Sequence, residues 1–223
     1  MMNTDKGLKI GERIRTARQK RHLSLRTLAT RANVSPSMLS QIENDRAYPS
    51  VTTLYNIAEA LSLSLNYFFP DADTDDNAVS PRTSDAIVLA HKTASELRTD
   101  YTHGMAVVSQ PDEKSPVVNP SSRLAIELKG GVRWERLTPS EEKDIQFLEI
   151  LYRPGTASGD TMSQHSGREF GLILSGTLTL EIGTERYVLN AGDSIIFDSN
   201  TPHRLSNLSN EVMRAVWIVM NRG

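Results

Sequence analysis

Apolar residues between positions 8 and 69 recur every three to four places, the spacing of amphipathic helices, whereas from position 118 onward they come in short alternating runs, the spacing of strands. The segment LKIGERIRTARQKR, residues 8–21, sets Leu8, Ile10, Ile14 and Ala17 on one face, with arginines and lysines outside. Ser24 suits the N-cap of a second helix that keeps Leu25, Leu28, Ala29 and Ala32 inward, and Asn33 suits the left-handed position that ends it. Val34 plugs the following turn into the core. Ser35 then caps a third helix with Pro36 at its first helical position, where the missing N–H costs nothing; Met38, Leu39 and Ile42 form its predicted buried stripe. Ser50 caps a fourth, with Leu54, Ile57, Ala58 and Leu61 inward, and a last turn around Leu65 to Phe69 closes the small core.

The second half reads strand after strand: RLAIEL, VRWERLT, IQFLEILYRP, REFGLILSG, TLTLEIG, ERYVL, SIIFD, HRLSN and MRAVWIVM, broken by GG, PG, SG and NAGD turns. Several of these runs alternate in and out, as expected when one sheet face is buried, which predicts an all-β sandwich or barrel. Between the halves, PDADTDDNAVSPRTSD is acidic and poor in large apolar residues. The expected organisation is therefore α + β in two domains: a helical domain over 1–69, an acidic linker over 70–85, an extension without a clear pattern over 86–117, and a β domain over 118–223.

The third helix has an unusual outer face. Ser37, Ser40, Gln41 and Asn44 are short and polar, and they lie opposite its apolar stripe. Such a face offers hydrogen bonds to base edges without a charge to bury. Charge distribution agrees: residues 1–69 hold ten Lys and Arg against five Asp and Glu, leaving 15 against 22 for the remainder. The net charge of -2 conceals a basic headpiece on an acidic body, the distribution that attraction to DNA phosphates requires.

The remaining composition mostly excludes. The chain has no cysteine, so disulfides, thiolate metal sites and cysteine nucleophiles are ruled out. No apolar run is long enough to cross a bilayer, and residues 1–9 lack the apolar core of a secretory signal, so a soluble cytoplasmic protein is expected. No nucleophile elbow or phosphate-binding loop is present.

Residues 8–69, and within them SLRTLATRANVSPSMLSQIEN and YPSVTTLYNIAEAL, resemble the XRE family of helix-turn-helix domains, the lambda-repressor-like fold shared with phage repressors. The resemblance implies that the start and outer face of the third helix enter the major groove. By position it assigns DNA contact to Pro36, Ser37, Ser40 and Gln41, and phosphate contact to Asn44 and Arg46. It also places Arg18 and Glu43 where relatives have an internal ion pair.

Residues 165–207, HSGREFGLILSGTLTLEIGTERYVLNAGDSIIFDSNTPHRLSN, resemble the cupin signature, with the likeness reaching back to about Val118. Cupins are jelly-roll barrels whose two motifs direct histidines and a glutamate inward. His165, Glu169 and Gly176 match the first motif; Gly192, His203 and Asn207 match the second. The departures are informative: Ser163 stands at the first histidine position, and Asp198 and Asn200 replace a proline and a glycine. Serine is a poor ligand beside imidazole, so three metal ligands remain, His165, Glu169 and His203, a set that suits zinc or non-haem iron. The same residues, with Ser163, can instead hold one another or a small polar ligand. Trp134, Tyr152, Phe170 and Trp217 read as core residues that can also line a pocket, and His22, His91 and His103 as surface or packing residues.

Together these readings predict a transcriptional regulator, not an enzyme, whose XRE domain binds a double-stranded DNA operator and whose cupin senses a small-molecule effector and forms a homodimer. Two alternatives stay open: a metal-dependent cupin oxygenase or isomerase tethered to DNA, and a cupin that serves only as a dimerisation scaffold.

Overall fold

The computed structural model describes residues 10–69 and 115–220. The linker assigned to 70–85, all of the 86–117 extension before residue 115, and the histidines at 91 and 103 lie outside the described residues. Residues 115–117 form neither helix nor strand.

Among the described residues, four α-helices form where the apolar spacing places them: α1 (Ile10–Lys20), α2 (Leu25–Arg31), α3 (Pro36–Glu43) and α4 (Val51–Leu61), followed by a 3-10 turn at Leu65–Phe68. The hydroxyls of Ser24, Ser35 and Ser50 accept from the amides of Thr27, Met38 and Thr53 at 3.0, 3.1 and 3.1 Å, satisfying donors that each helix start leaves orphaned. Asn33 has the left-handed φ of 52° expected after α2. Ile14, Leu28, Leu39, Ile42, Leu54 and Ile57 are fully buried at the centre. Arg18 grips the buried Glu43 with two hydrogen bonds of 2.7 and 2.8 Å and also donates to the carbonyl of Leu23. This ties α1 to α3, as the resemblance implied.

Met38 departs from its expected place. It is 41% exposed, so the buried stripe of α3 is Leu39 and Ile42 alone. A helix of eight residues makes only two turns, and Met38 falls on the edge between its inner and outer faces.

Among the described residues, nine strands match the nine predicted runs: β1 (Ala125–Leu128), β2 (Val132–Arg136), β3 (Ile145–Tyr152), β4 (Arg168–Ser175), β5 (Thr177–Ile182), β6 (Glu185–Asn190), β7 (Ser194–Asp198), β8 (His203–Ser206) and β9 (Met213–Met220). They form a six-stranded sheet in the order β1-β2-β3-β9-β4-β7 and a three-stranded sheet in the order β6-β5-β8. Every pairing is antiparallel. The expected jelly-roll barrel is not closed: the two sheets remain separate in hydrogen bonding. The chain crosses from one to the other between β4 and β5 at Gly176, whose φ of +73° turns the corner; a Cβ there would lie 2.7 Å from the carbonyl oxygen of Val212.

Gly171 sets the position of a second aromatic residue. A Cβ on it would come within 2.1 Å of the Trp217 ring, so only glycine lets that indole lie across β4. Phe170, expected in the core, points the other way and is half-buried on the outer face of the larger sheet. Among the described residues, no helix is long and apolar enough to cross a membrane.

Candidate functional site

The proposed reading face of α3 stands open to solvent. Pro36, Ser37, Gln41, Asn44 and Arg46 are exposed, while Ser40 is half-buried. Asn44 caps the helix and uses its amide locally, donating to the Ser40 carbonyl at 2.6 Å and accepting from Arg15 at 2.5 Å. That arrangement holds Arg15 beside the end of α3. His22 is exposed with a left-handed φ of 54°, in keeping with a surface role.

The second site lies inside the β domain. Glu169 is on β4, His203 begins β8, and His165 lies in the loop before β4, where its amide donates to the Ser199 carbonyl at 3.0 Å. Ser163 bridges backbone to backbone with His203, at 2.9 and 2.8 Å. These contacts bring three candidate ligands together across 38 residues of chain. The Nε2 atoms of His165 and His203 lie 2.9 and 3.1 Å from Glu169 Oε1. One ligand atom from each residue falls within 4.8 Å of the others. Each Nδ1 is turned to a backbone carbonyl, His165 to Ser166 at 3.3 Å and His203 to Thr201 at 2.9 Å. If Nδ1 carries the proton, Nε2 presents a lone pair toward the carboxylate, the orientation a metal-binding imidazole needs.

Glu169 is 3% exposed, and its other oxygen accepts from Trp217 Nε1 at 2.6 Å. Oε1 has two imidazoles nearby but no donor aligned on it, so a buried carboxylate oxygen is left with an unfilled lone-pair direction. Burial pushes the Glu169 carboxyl up, but the facing imidazoles of His165 and His203 outweigh it and hold the group down at about 2. Burial lowers His203 in turn, and Glu169 together with the Thr201 carbonyl more than reverses this, raising it above its ordinary value. Tyr152 is raised by burial and then by the negative charge of Glu169, so its hydroxyl stays protonated.

The surrounding pocket is mostly apolar and aromatic. Trp134, Leu148, Tyr152, Leu205, Trp217 and Val219 line it along with Ser163 and the three candidate ligands. Three of the four aromatic residues singled out in the sequence are thus at the pocket; Phe170 is not. Trp134 Nε1 is buried and has no hydrogen-bond partner among the described residues. The departures at Asp198 and Asn200 have a local use, since Asp198 Oδ1 accepts from both the amide and the side chain of Asn200 at 3.0 and 2.7 Å. Asn207 is fully buried and donates to the carbonyls of Tyr152 and Glu211, a structural role.

Sequence reasoning missed the residues that α4 adds. Val51 and Tyr55 line the same pocket. The Tyr55 ring stacks on His165 with centroids 4.2 Å apart and planes 6° from parallel, and meets the edge of Trp134 at 6.2 Å. The available signal was weak: Tyr55 is an aromatic residue off the inward stripe of an amphipathic helix.

Residues 14–68 match the helix-turn-helix family HTH_3, and residues 148–219 match the cupin domain family Cupin_2. The chain is 25% identical over 213 residues to the HTH-type transcriptional regulator PuuR of Escherichia coli (strain K12), covering 96% of this chain and 95% of that one. The helical part alone is 42% identical over 57 residues to the immunity repressor protein of Bacillus phage phi105, a match covering 26% of this chain and 40% of the repressor. Among solved structures, an HTH_3 family transcriptional regulator from Vibrio cholerae superimposes with a TM-score of 0.58 at 20% identity, over 96% of both chains, which establishes a shared fold. The chain accordingly joins an XRE-type helix-turn-helix (HTH_3) domain to a C-terminal cupin (Cupin_2) domain.

Proposed function

We propose that this regulator reads a DNA operator as a homodimer and that its cupin pocket senses a small-molecule effector. The observation that carries the reading is the joining, in one chain, of an exposed polar face on α3 with an enclosed pocket whose buried carboxylate keeps an unfilled acceptor direction. Ser37 and Gln41 contact bases, Pro36 and Ser40 set the helix against the groove, and Arg46 with Asn44 meets phosphate. A half-buried Ser40 contributes less than its exposed neighbours.

The unaligned Oε1 and the two Nε2 atoms around it fit a divalent zinc or iron ion, which His165, Glu169 and His203 would hold with positions left open. Such an ion would supply a Lewis-acid anchor for an effector's donor atom. Ser163, small and uncharged, lines the same pocket and leaves that side of the constellation to an effector's own polar group. A triad with open positions is also the arrangement of non-haem iron oxygenases, so a tethered enzyme is the second reading; it requires turnover of a substrate.

For the homodimer, the surface that fits a second copy is the outer face of β3, β9, β4 and β7. Phe147, Ile218, Phe170 and Ile196 are successive cross-strand partners there, and Leu172 and Leu174 beside them are 43% and 42% exposed. An apolar row of this extent on a protein that must address two half-sites calls for a copy of itself.

The test combines metal analysis of the purified full-length chain, thermal shift against metals and small metabolites, and operator binding. The expected result is a metal or ligand response in the wild type that is lost in His165→Ala and in His203→Ala while both variants remain folded. If both variants keep the wild-type metal content, thermal shifts and operator response, the cupin is a scaffold and not a sensor.

A further inference from the structure

The pocket is closed by the DNA-binding domain itself. Val51, Tyr55 and Thr52 run along the side of α4 next to the Leu54, Ile57, Ala58 and Leu61 stripe that holds the helix in its own core, with Val51 at the edge of that stripe and Thr52 farthest from it. This side is fastened to the cupin. Thr52 N–H donates to the Ser158 carbonyl at 3.1 Å, and Lys129 N–H donates to the Pro49 carbonyl at 2.9 Å. Asn66 Nδ2 adds a bond to the Glu142 carbonyl at 2.9 Å, and the Arg136 guanidinium lies 6.0 Å from the Phe69 ring centre. Ser158 in turn pairs with Leu205 of β8 through both its amide and its hydroxyl, two residues from His203.

With Tyr55 in place the cavity measures about 20 Å³. That is room for one water or one ion and not for a metabolite. The Tyr55 ring occupies the remaining space, covering the face of His165 and abutting Trp134, whose indole N–H lacks a partner among the described residues. We propose that Tyr55 holds the effector's place: an effector enters by displacing this ring and, because Tyr55 is rooted in α4, thereby releases the DNA-binding domain from the cupin. The inference rests on the sensor function proposed for the pocket and deepens it. It also sets the effector's chemistry: a flat group to stack on His165 in place of the phenol, with an acceptor for Trp134 Nε1. A metal ion, by contrast, fits beneath the ring and leaves it seated.

The two conformations differ in observable hydrogen bonds. The amides of Thr52 and Lys129 bond across the domain contact, whereas those of Ala32 (to the Leu28 carbonyl, 2.9 Å) and Ile173 (to the Asp193 carbonyl, 3.0 Å) lie within one domain each and serve as controls. In the full-length chain, Tyr55→Ala should exchange about tenfold faster at Thr52 and Lys129 with the controls unchanged, and Tyr55→Phe should stay near wild type. The ligand probe is p-cresol, which carries the same ring and hydroxyl as the tyrosine side chain. It should bind Tyr55→Ala about tenfold more tightly than wild type, because in wild type it must compete with the resident ring. Binding is read from Trp134 and Trp217, the two tryptophans of the chain, which both line the pocket.

In wild type, p-cresol at concentrations that saturate the fluorescence change should accelerate exchange at both contact amides, and Zn²⁺ alone should not. The chain has no cysteine, so a Thr52→Cys, Gly159→Cys pair can be introduced cleanly. A Cβ on Gly159 would lie 3.0 Å from that of Thr52, within a small shift of the ~3.8 Å a disulfide prefers. Oxidation of this pair should weaken p-cresol binding about tenfold relative to the reduced form.

Equal p-cresol affinity for wild type and Tyr55→Ala, absence of binding to Tyr55→Ala, unaltered contact exchange on saturation, acceleration by Zn²⁺, or indifference to the bridge would each overturn the inference. Should Tyr55→Ala fail to fold, the bridge decides in an otherwise native pocket. The sensor function fails separately, through unaltered responses in the His165 and His203 variants, whatever Tyr55 does.

Discussion

At the scale of single residues, the His203–Glu169 contact gives the metal-free chain a defined pH response. His203 is raised above 6.5 against the opposing effect of burial, because Glu169 lies 3.1 Å away and Thr201 supplies a carbonyl. A group raised on folding contributes stability that is complete below its unfolded value and is lost as pH rises through the folded one. Metal-free wild type should therefore lose Tm more steeply than His203→Ala as pH rises above about 6.5, measured by calorimetry in the presence of a chelator. Parallel curves would remove His203 from the pH response. Glu169 has the opposite sign: held at about 2, its contribution is complete above 4.5 and is lost as pH falls from there toward about 2. A second residue-scale prediction concerns Gly171, where a methyl group would come 2.1 Å from Trp217. Gly171→Ala should cost ~1–3 kcal/mol in denaturant unfolding and shift the tryptophan emission, since the indole must leave its bond to Glu169.

At the scale of elements, α3 separates contacts that specify sequence from contacts that only hold DNA. Ser37→Ala and Gln41→Ala should each narrow the gap between operator and random DNA by ~1–3 kcal/mol. Arg46→Ala should weaken both about equally and reduce the salt slope by about 1. Fluorescence anisotropy at several salt concentrations distinguishes these outcomes, and undiminished operator preference in the first two variants would take α3 out of the reading role. The internal pair Arg18–Glu43 fixes the pose of this helix, with Glu43 at 3% exposure; removing Arg18 alone should cost more than removing both, because it strands a buried charge.

At the scale of the whole molecule, two operator half-sites about 34 Å apart exceed the reach of one small helical domain. Leu172→Glu together with Ile196→Glu puts charge into the apolar row on the outer sheet face. Sedimentation should show the wild type as a dimer and the double variant as a monomer, with operator affinity falling while the salt-dependent binding to random DNA changes little. A dimer that survives both charges would move the interface elsewhere.

Local pattern alone determined much of this protein. The nine strands and four helices follow from periodicities of two and 3.6, and Ser24, Ser35 and Ser50 act as caps because a cap needs only its own helix start. His165, Glu169 and His203 were legible because they recur at fixed places in a motif. Tertiary structure decided the rest. Periodicity says which face of an element is apolar but not what lies against it, so it places Met38 and Phe170 in cores they do not enter. Whether nine strands close into one barrel depends on pairing between distant edges, and here they stay as two sheets. Tyr55 was invisible as a site residue for the same reason. Its neighbour Thr52 meets Ser158 across 106 positions, and no local spacing records that a helix of the DNA-binding domain covers a pocket built so far along the chain.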